Sequence, residues 1–214
     1  MNRVRIFLGV AIAVLVLVSL VPASASAAGQ QYPYYIAFKP GAFFPQGDID
    51  DLDTGFQGEL AFGRQFNENF AFEMSVGWMN LDKTERGSLE INGTTYSGRA
   101  SIDLDIIPVV INFKPMLPIG NCIELYGIAG LGAYFVNAEV SVRETVENVS
   151  YRAKDDDSDT VFGFTAGLGI HFNISPRMFI GAEGKYLFTT EAKLWGVKTN
   201  LDGIYTSGVI GIRF

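Results

Sequence analysis

From residue 34 onward, hydrophobic positions recur at every second residue. A helix would repeat every 3.6 residues, so period two marks strands with one apolar face. The stretch 161–172 is the clearest. Phe162, Phe164, Ala166, Leu168, Ile170 and Phe172 fall on one face, with Gly163, Thr165, Gly167, Gly169 and His171 on the other. Seven further stretches read the same way: 34–44, 55–66, 70–81, 101–114, 123–137, 178–188 and 203–214. In 101–114 the apolar face starts as Ile102, Leu104 and Ile106 against Asp103 and Asp105, then continues as Val109, Ile111 and Phe113. That change of phase predicts a bulge at Pro108, because proline cannot donate to a strand ladder.

The connections alternate in length. Segments 67–69, 115–121 and 173–177 are short. Segments 45–54, 82–100, 137–160 and 189–202 are longer or more polar and hold most of the remaining charge, including Asp155, Asp156, Asp157 and Asp159. Short turns at one rim and long loops at the other are the sequence mark of a membrane barrel. With eight strands, both termini fall at the short-turn rim.

A soluble sandwich alternates too, but it hides its apolar face and shows polar side chains to water. Here the face opposite the hydrophobics carries Gly, Ser and Thr with charges spaced singly. Glycine is costly inside a strand unless space is tight, and the bore of an eight-stranded barrel is just wide enough for side chains to fill. The small, charged face therefore reads as lumen and the aliphatic, aromatic face as the lipid side. Lipid offers no partner to an open sheet edge, so only helices and closed barrels span it. Phe44, Phe66, Phe70, Trp78, Phe113, Phe135, Phe172, Phe188 and Phe214 stand near strand ends, as interfacial girdles do. The expected fold of residues 29–214 is all-β: an eight-stranded antiparallel up-and-down transmembrane barrel.

The first 28 residues stand apart. Arg3 and Arg5 precede an apolar run over 6–21, Pro22 breaks it, and residues 23–28 are small. This is the order of a secretory signal peptide, and the run is short for a spanning helix, which needs ~20 residues. Cleavage is expected after Ala27 or Ala28. Loss of Arg3 and Arg5 takes the 16 basic residues to 14 against 23 acidic ones, a net charge near −9. That balance argues against a nucleic-acid partner, which calls for a basic stripe. The one cysteine, Cys122, permits no intramolecular disulfide and lies too far from the cleavage site to carry a lipoprotein's lipid.

The run 125–135, with Tyr126, Gly130, Gly132 and Tyr134, resembles the glycine-rich strand of OmpA-like and OmpW-like outer-membrane barrels. So do 164–170 with Gly167 and Gly169, and 181–186 with Gly181, Gly184 and Tyr186. The end, 208–214, resembles their terminal strand with its last phenylalanine. The resemblance implies the outer membrane of a Gram-negative-type bacterium, with long loops extracellular and both termini periplasmic. It implies membrane lipid and lipopolysaccharide as partners, and Phe214 as the C-terminal assembly signal read by the barrel-assembly machinery. Unlike full OmpA, the sequence ends at its last strand, so no peptidoglycan-binding domain is expected.

The lumen face is expected to carry Lys39, Glu59, Glu73, Asp103, Asp105, Glu124, His171, Glu183, Lys185 and Arg213. Ions withdrawn from water are costly unless paired. Lys39, Lys185 and Arg213 lie on the first, seventh and last strands, which adjoin in a closed barrel, and the acids mainly on strands two to five. Ion pairs across the bore are therefore expected, either as a structural plug or as a gate on an ion path. His171, the only histidine, could serve as a general base. Lipid A deacylases place a serine two residues after such a histidine; here Asn173 stands there. No catalytic residue, cofactor or metal site is expected. Asp155 to Asp159 lack the ligand spacing of a calcium loop and read as a solvated acidic loop; the stretch of Asp48, Asp50, Asp51 and Asp53 reads alike. Asn92 and Asn148 match the glycosylation pattern by chance. Three functions remain open: a non-enzymatic structural barrel that supports the envelope and presents surface loops, a narrow porin-like channel for small ions or hydrophobic solutes as OmpW resemblance implies, and a lipid-modifying enzyme. The oligomeric state stays open.

Protein isolated from membranes is expected to begin at Ala28 or Gly29. An intact-mass measurement that retains Arg3 and Arg5 refutes cleavage.

Overall fold

The computed structural model describes the backbone of residues 32–91, 94–120, 122–146 and 149–214, and side chains of these except within 85–99 and 142–152. The expected signal segment 1–28 and the positions Asn92 and Asn148 lie outside the described residues.

Ten strands follow in chain order: β1 (Tyr34–Pro45), β2 (Gly55–Asn67), β3 (Phe70–Ile91), β4 (Thr94–Ile119), β5 (Ile123–Val146), β6 (Val149–Asn173), β7 (Met178–Thr189), β8 (Ala192–Leu194), β9 (Val197–Thr199) and β10 (Gly203–Arg213). Strands β1 to β7 and β10 form a closed antiparallel barrel, each paired with its chain neighbour and β10 paired with β1. The expected eight strands are all present. Short turns join β2 to β3, β4 to β5 and β6 to β7. At the first, Asn67 Oδ1 accepts from the Asn69 N–H at 2.8 Å, a local turn that side-chain amides favour.

Alternation decides which side chains enter the bore. Ile36, Phe38, Leu60, Phe72, Phe164, Ile210 and Ile212 are exposed on the outside, while their neighbours in sequence are buried. Phe56 and Phe66 are ten residues apart on β2. At ~3.3 Å per residue and ~40° tilt, they are separated by ~25 Å, the height of the apolar band in barrels of this class. Near the short-turn rim, Tyr34 stacks with Phe62 and Phe214 at 5.9 and 6.2 Å, and Phe70 with Phe113 at 5.6 Å. Phe56 and Trp78 meet at 6.4 Å at the other edge of the band.

Inward glycines make room for rings. The Cβ that Gly63 lacks would fall on the Tyr35 ring, that of Gly169 on Tyr126, and that of Gly211 on Phe179. In each case ring and glycine are cross-strand partners. The ring thus lies over its neighbour's bare backbone, a pairing that offsets the weakness of glycine in strands.

Three expectations are corrected. First, 82–100 and 137–160 are not loops: β3 and β4 continue to Ile91 and Thr94, and β5 and β6 to Val146 and Val149, and because β4 also pairs with β5 from Tyr96↔Val146 downward, the four strands rise above the barrel as one sheet. Second, no bulge occurs at Pro108. Pairing of β3 with β4 lapses between Val76↔Val109 and Met79↔Ile106, then resumes in unchanged register. The missing donor is absorbed because Gly77 faces Pro108; a Cβ there would sit 3.0 Å from the proline ring. Third, Asp103 and Asp105 do not face the lumen. Leu104 and Ile106 are buried inside, and Asp103 and Asp105 point outward, where Asn80 donates to Asp105 at 3.0 Å. The physical reason is a change of surroundings along one strand. Below, the outside is lipid and the inside polar; above the apolar band, the outside is water, so the acids turn out and the aliphatics in.

Candidate functional site in the lumen

Midway along the bore, six ions converge. Lys39 on β1, Lys114 on β4 and Lys185 on β7 meet Glu59 on β2, Glu73 on β3 and Glu183 on β7, all buried. Lys39 Nζ forms a close ion pair with Glu73 Oε1 and lies 3.2 Å from Glu183 Oε2. It is also 3.3 Å from Glu59 Oε1, without a directed hydrogen bond. Lys114 Nζ donates to Glu73 Oε2 at 3.0 Å. Lys185 Nζ reaches Glu59 at 2.9 Å and Glu183 at 3.0 Å. Two phenols complete the shell: Tyr35 donates to Glu73 at 2.9 Å and Tyr126 to Glu183 at 3.2 Å. Lys114 also sits 4.1 Å from the centre of the Tyr126 ring, where the π-face attracts a cation. Three positive and three negative charges cancel, so the set can be buried together; any one alone could not.

A second group closes the short-turn end. Arg213 Nη2 donates to Glu124 at 2.9 Å and Nη1 to Asn173 Oδ1 at 2.8 Å, while Asn173 Nδ2 donates to Glu124 at 3.1 Å. His171 Nδ1 lies 3.8 Å from Glu124, beyond hydrogen-bond reach. Its ring is held between Tyr126 at 4.3 Å and Phe179 at 4.5 Å. Toward the other end, Gln57 hydrogen-bonds Ser207, and above that layer Phe43, Met79, Leu81, Ile106, Tyr134 and Leu187 fill the bore with hydrocarbon.

Of the expected lumen residues, Lys39, Glu59, Glu73, Glu183 and Lys185 form the central group, Glu124, His171 and Arg213 the rim group, and Asp103 and Asp105 neither. Lys114, Tyr35 and Tyr126 were missed as members. The signal for Lys114 was available: Asn112 and Lys114 share parity on one strand, and both are buried inward. The acidic run on β6 is not a free loop either. Asp159 accepts from the Lys193 N–H at 2.7 Å, Asp157 from the Trp195 N–H at 2.7 Å, and Asp155 from Trp195 Nε1 at 3.0 Å. These alternate carboxylates clasp the β8–β9 hairpin, and the N–H of Lys193, then that of Thr160, hold Asp159 below the usual carboxylate range.

The balance of the central group is testable. Lys39→Met leaves a net negative charge in the bore and is expected to cost about 3–5 kcal/mol in urea unfolding from lipid vesicles. Adding Glu73→Gln restores neutrality and should recover part of the loss; a double variant less stable than Lys39→Met contradicts this account.

No curated protein matches the sequence. Among solved structures, the chain is similar to Ail, the attachment invasion locus protein of Yersinia pestis, at 21% identity over 86% of this chain and 100% of that one, with a TM-score of 0.42. It is similar to OprG from Pseudomonas aeruginosa at 13% identity, covering 87% and 98%, with a TM-score of 0.46. It is also similar to Neisserial surface protein A at 11% identity, covering 85% and 97%, with a TM-score of 0.44. Residues 13–211 match the outer membrane protein beta-barrel domain, almost the whole chain, and the protein belongs to that family of outer-membrane barrels.

Proposed function

We propose that this protein is a closed, non-enzymatic structural barrel of the outer membrane that carries the four-stranded extension of β3 to β6 and the β8–β9 hairpin at the cell surface. The observation that carries this reading is the filled bore: a charge-balanced group of six buried ions lies beneath a layer of buried hydrocarbon. An ion crossing here would have to break pairs that lack compensation and then cross an apolar layer, both costly steps. The leader 1–28 would be removed on export, Phe214 would serve the assembly machinery, and the short-turn rim would face the periplasm. A narrow channel is the second reading. It is favoured by Asn112, Thr165 and the Tyr134 hydroxyl, buried polar groups with no protein partner, where water could thread past the ions.

Refolded protein in a planar lipid bilayer is expected to be electrically silent, with folding verified by a heat-dependent gel shift. Reproducible unit steps from the wild-type protein would overturn the closed-barrel reading in favour of the channel. Orientation is tested at Cys122, an exposed thiol at the short-turn rim. An impermeant maleimide should leave it unlabelled on intact cells and label it once the outer membrane is opened; labelling of intact cells would invert the proposed topology.

A further inference from the structure

We propose that Arg64 and the rings around it form a headgroup site for one glycerophospholipid, bound through its phosphate in the leaflet at the short-turn rim. Among the described residues, Arg64 is the one charged side chain on the outer face of the barrel within the apolar band. The six central ions, Glu124 and Arg213 turn inward, and the outward acids Asp82, Asp103, Asp105 and Glu139 stand above the band. On β2 the outward row runs Phe56, Gly58, Leu60, Phe62, Arg64, Phe66. A cation in that row is the costly choice, because charge on the lipid face destabilises a barrel, more so with depth. An ionisable residue kept at membrane depth points to a use and to a partner.

Depth and posture identify that partner. Arg64 is two residues from Phe66, which marks one edge of the band. At ~3.3 Å per residue and ~40° tilt its backbone stands ~5 Å inside that edge. Its side chain leads back toward the rim. The guanidinium carbon lies 5.0 Å from the centre of the Phe66 ring and 5.4 Å from that of Tyr34, and both rings belong to strand ends at the short-turn rim. A long basic side chain thus keeps its stem in hydrocarbon and brings its head to the interface. The anions at that height are lipid phosphates, whereas a soluble anion would have to pass the acyl chains that surround the outer face.

The surroundings are braced. Tyr34 stacks with Phe62 and Phe214 at 5.9 and 6.2 Å, and Phe66 meets Phe72 edge-on at 5.7 Å. Tyr34 and Phe72 are also the cross-strand partners of Arg64 on either side. The rings hold the cation in place, so little freedom is lost when a ligand arrives. Their π-faces attract it without cancelling its charge. A planar guanidinium offers paired N–H donors that match a phosphate, which lysine would meet only as a point charge. Phe66 and Phe72, both exposed, supply hydrocarbon beside it for the acyl chains.

Arg177 is the contrast at the same rim. It lies 4.8 Å from the Tyr32 ring, but it stands in the β6–β7 turn, exposed and beyond the band. The choice of a glycerophospholipid rests on the orientation proposed above, in which this rim faces the periplasm, and the labelling of Cys122 tests that orientation separately.

The experiment measures lipid retained on the full chain. Protein folded in a phosphate-free maltoside detergent is titrated with dimyristoyl phosphatidylglycerol and followed by native mass spectrometry, with folding checked by the heat-dependent gel shift. One phospholipid is expected to saturate the wild type. Arg64→Gln should weaken retention about tenfold, as loss of a charge-assisted contact does. Arg64→Lys keeps the charge but not the fork and should weaken it about threefold, which keeps the test sound if Arg64→Gln does not fold. Arg177→Gln removes an equal charge from the same rim and should change retention by less than about twofold, as exposed charges do. Dimyristoylglycerol, the same chains without the phosphate, should not be retained at the same concentrations, and inorganic phosphate should not compete. Retention undiminished in the Arg64 variants, a loss in Arg177→Gln equal to that in Arg64→Gln, equal retention of dimyristoylglycerol, or competition by inorganic phosphate overturns the site.

Discussion

Everything in this molecule depends on the seam between β1 and β10. A strand edge in lipid leaves N–H and C=O groups with no partner, at several kcal/mol each. The seam removes both edges. It runs from Pro45↔Gly203 to Tyr35↔Arg213, and beyond it Phe214 and Tyr34 exchange backbone hydrogen bonds at 2.8 and 3.2 Å. Closure at eight strands also fixes the width of the bore, and the width dictates what may stand inside it.

Two solutions fill that width. Where rings enter, the facing strand is bare: Tyr35 over Gly63, Tyr126 over Gly169 and Phe179 over Gly211. Where ions enter, they do so as a neutral set. Lys39 touches three carboxylates and Glu73 two lysines and a phenol, so these two tie the group together, while Lys114 hangs on Glu73 alone among the carboxylates. Buried ion pairs seldom add net stability over hydrocarbon, but loss of one partner is severe. The group therefore specifies one arrangement of β1, β2, β3, β4 and β7 more than it strengthens the barrel.

The same strands serve two solvents. Parity along β4 never changes, yet the meaning of inside and outside reverses above the apolar band. Lys114 and Asn112 face in below, and Leu104 and Ile106 face in above. The upper part is a small water-soluble β-structure resting on a membrane one. Its core is closed by Ile49 from the β1–β2 connection and by Ala192, Leu194 and Leu201 from the β7–β10 connection. The clasp of Asp155, Asp157 and Asp159 on the β8–β9 hairpin holds that lid in place.

The sequence by itself determined the barrel class, the number of strands, the face each residue takes within the lipid band, and the presence of a paired lumen with Lys39, Glu59, Glu73, Glu183 and Lys185. These follow from local rules: period two, the cost of glycine without a tight bore, and the need to pair ions away from water. The tertiary structure alone decided where the lipid band ends on β3 to β6. Alternation looks identical on either side of that boundary, so Asp103 and Asp105 read as lumen until neighbouring strands showed them beside Asn80 and Asp82. It alone decided that Pro108 needs no bulge, because the glycine that absorbs it lies on another strand. It alone joined Lys114 to the ion group and Asp155 to Trp195, since a partner across a bore, or on a hairpin 40 residues away, has no local signature.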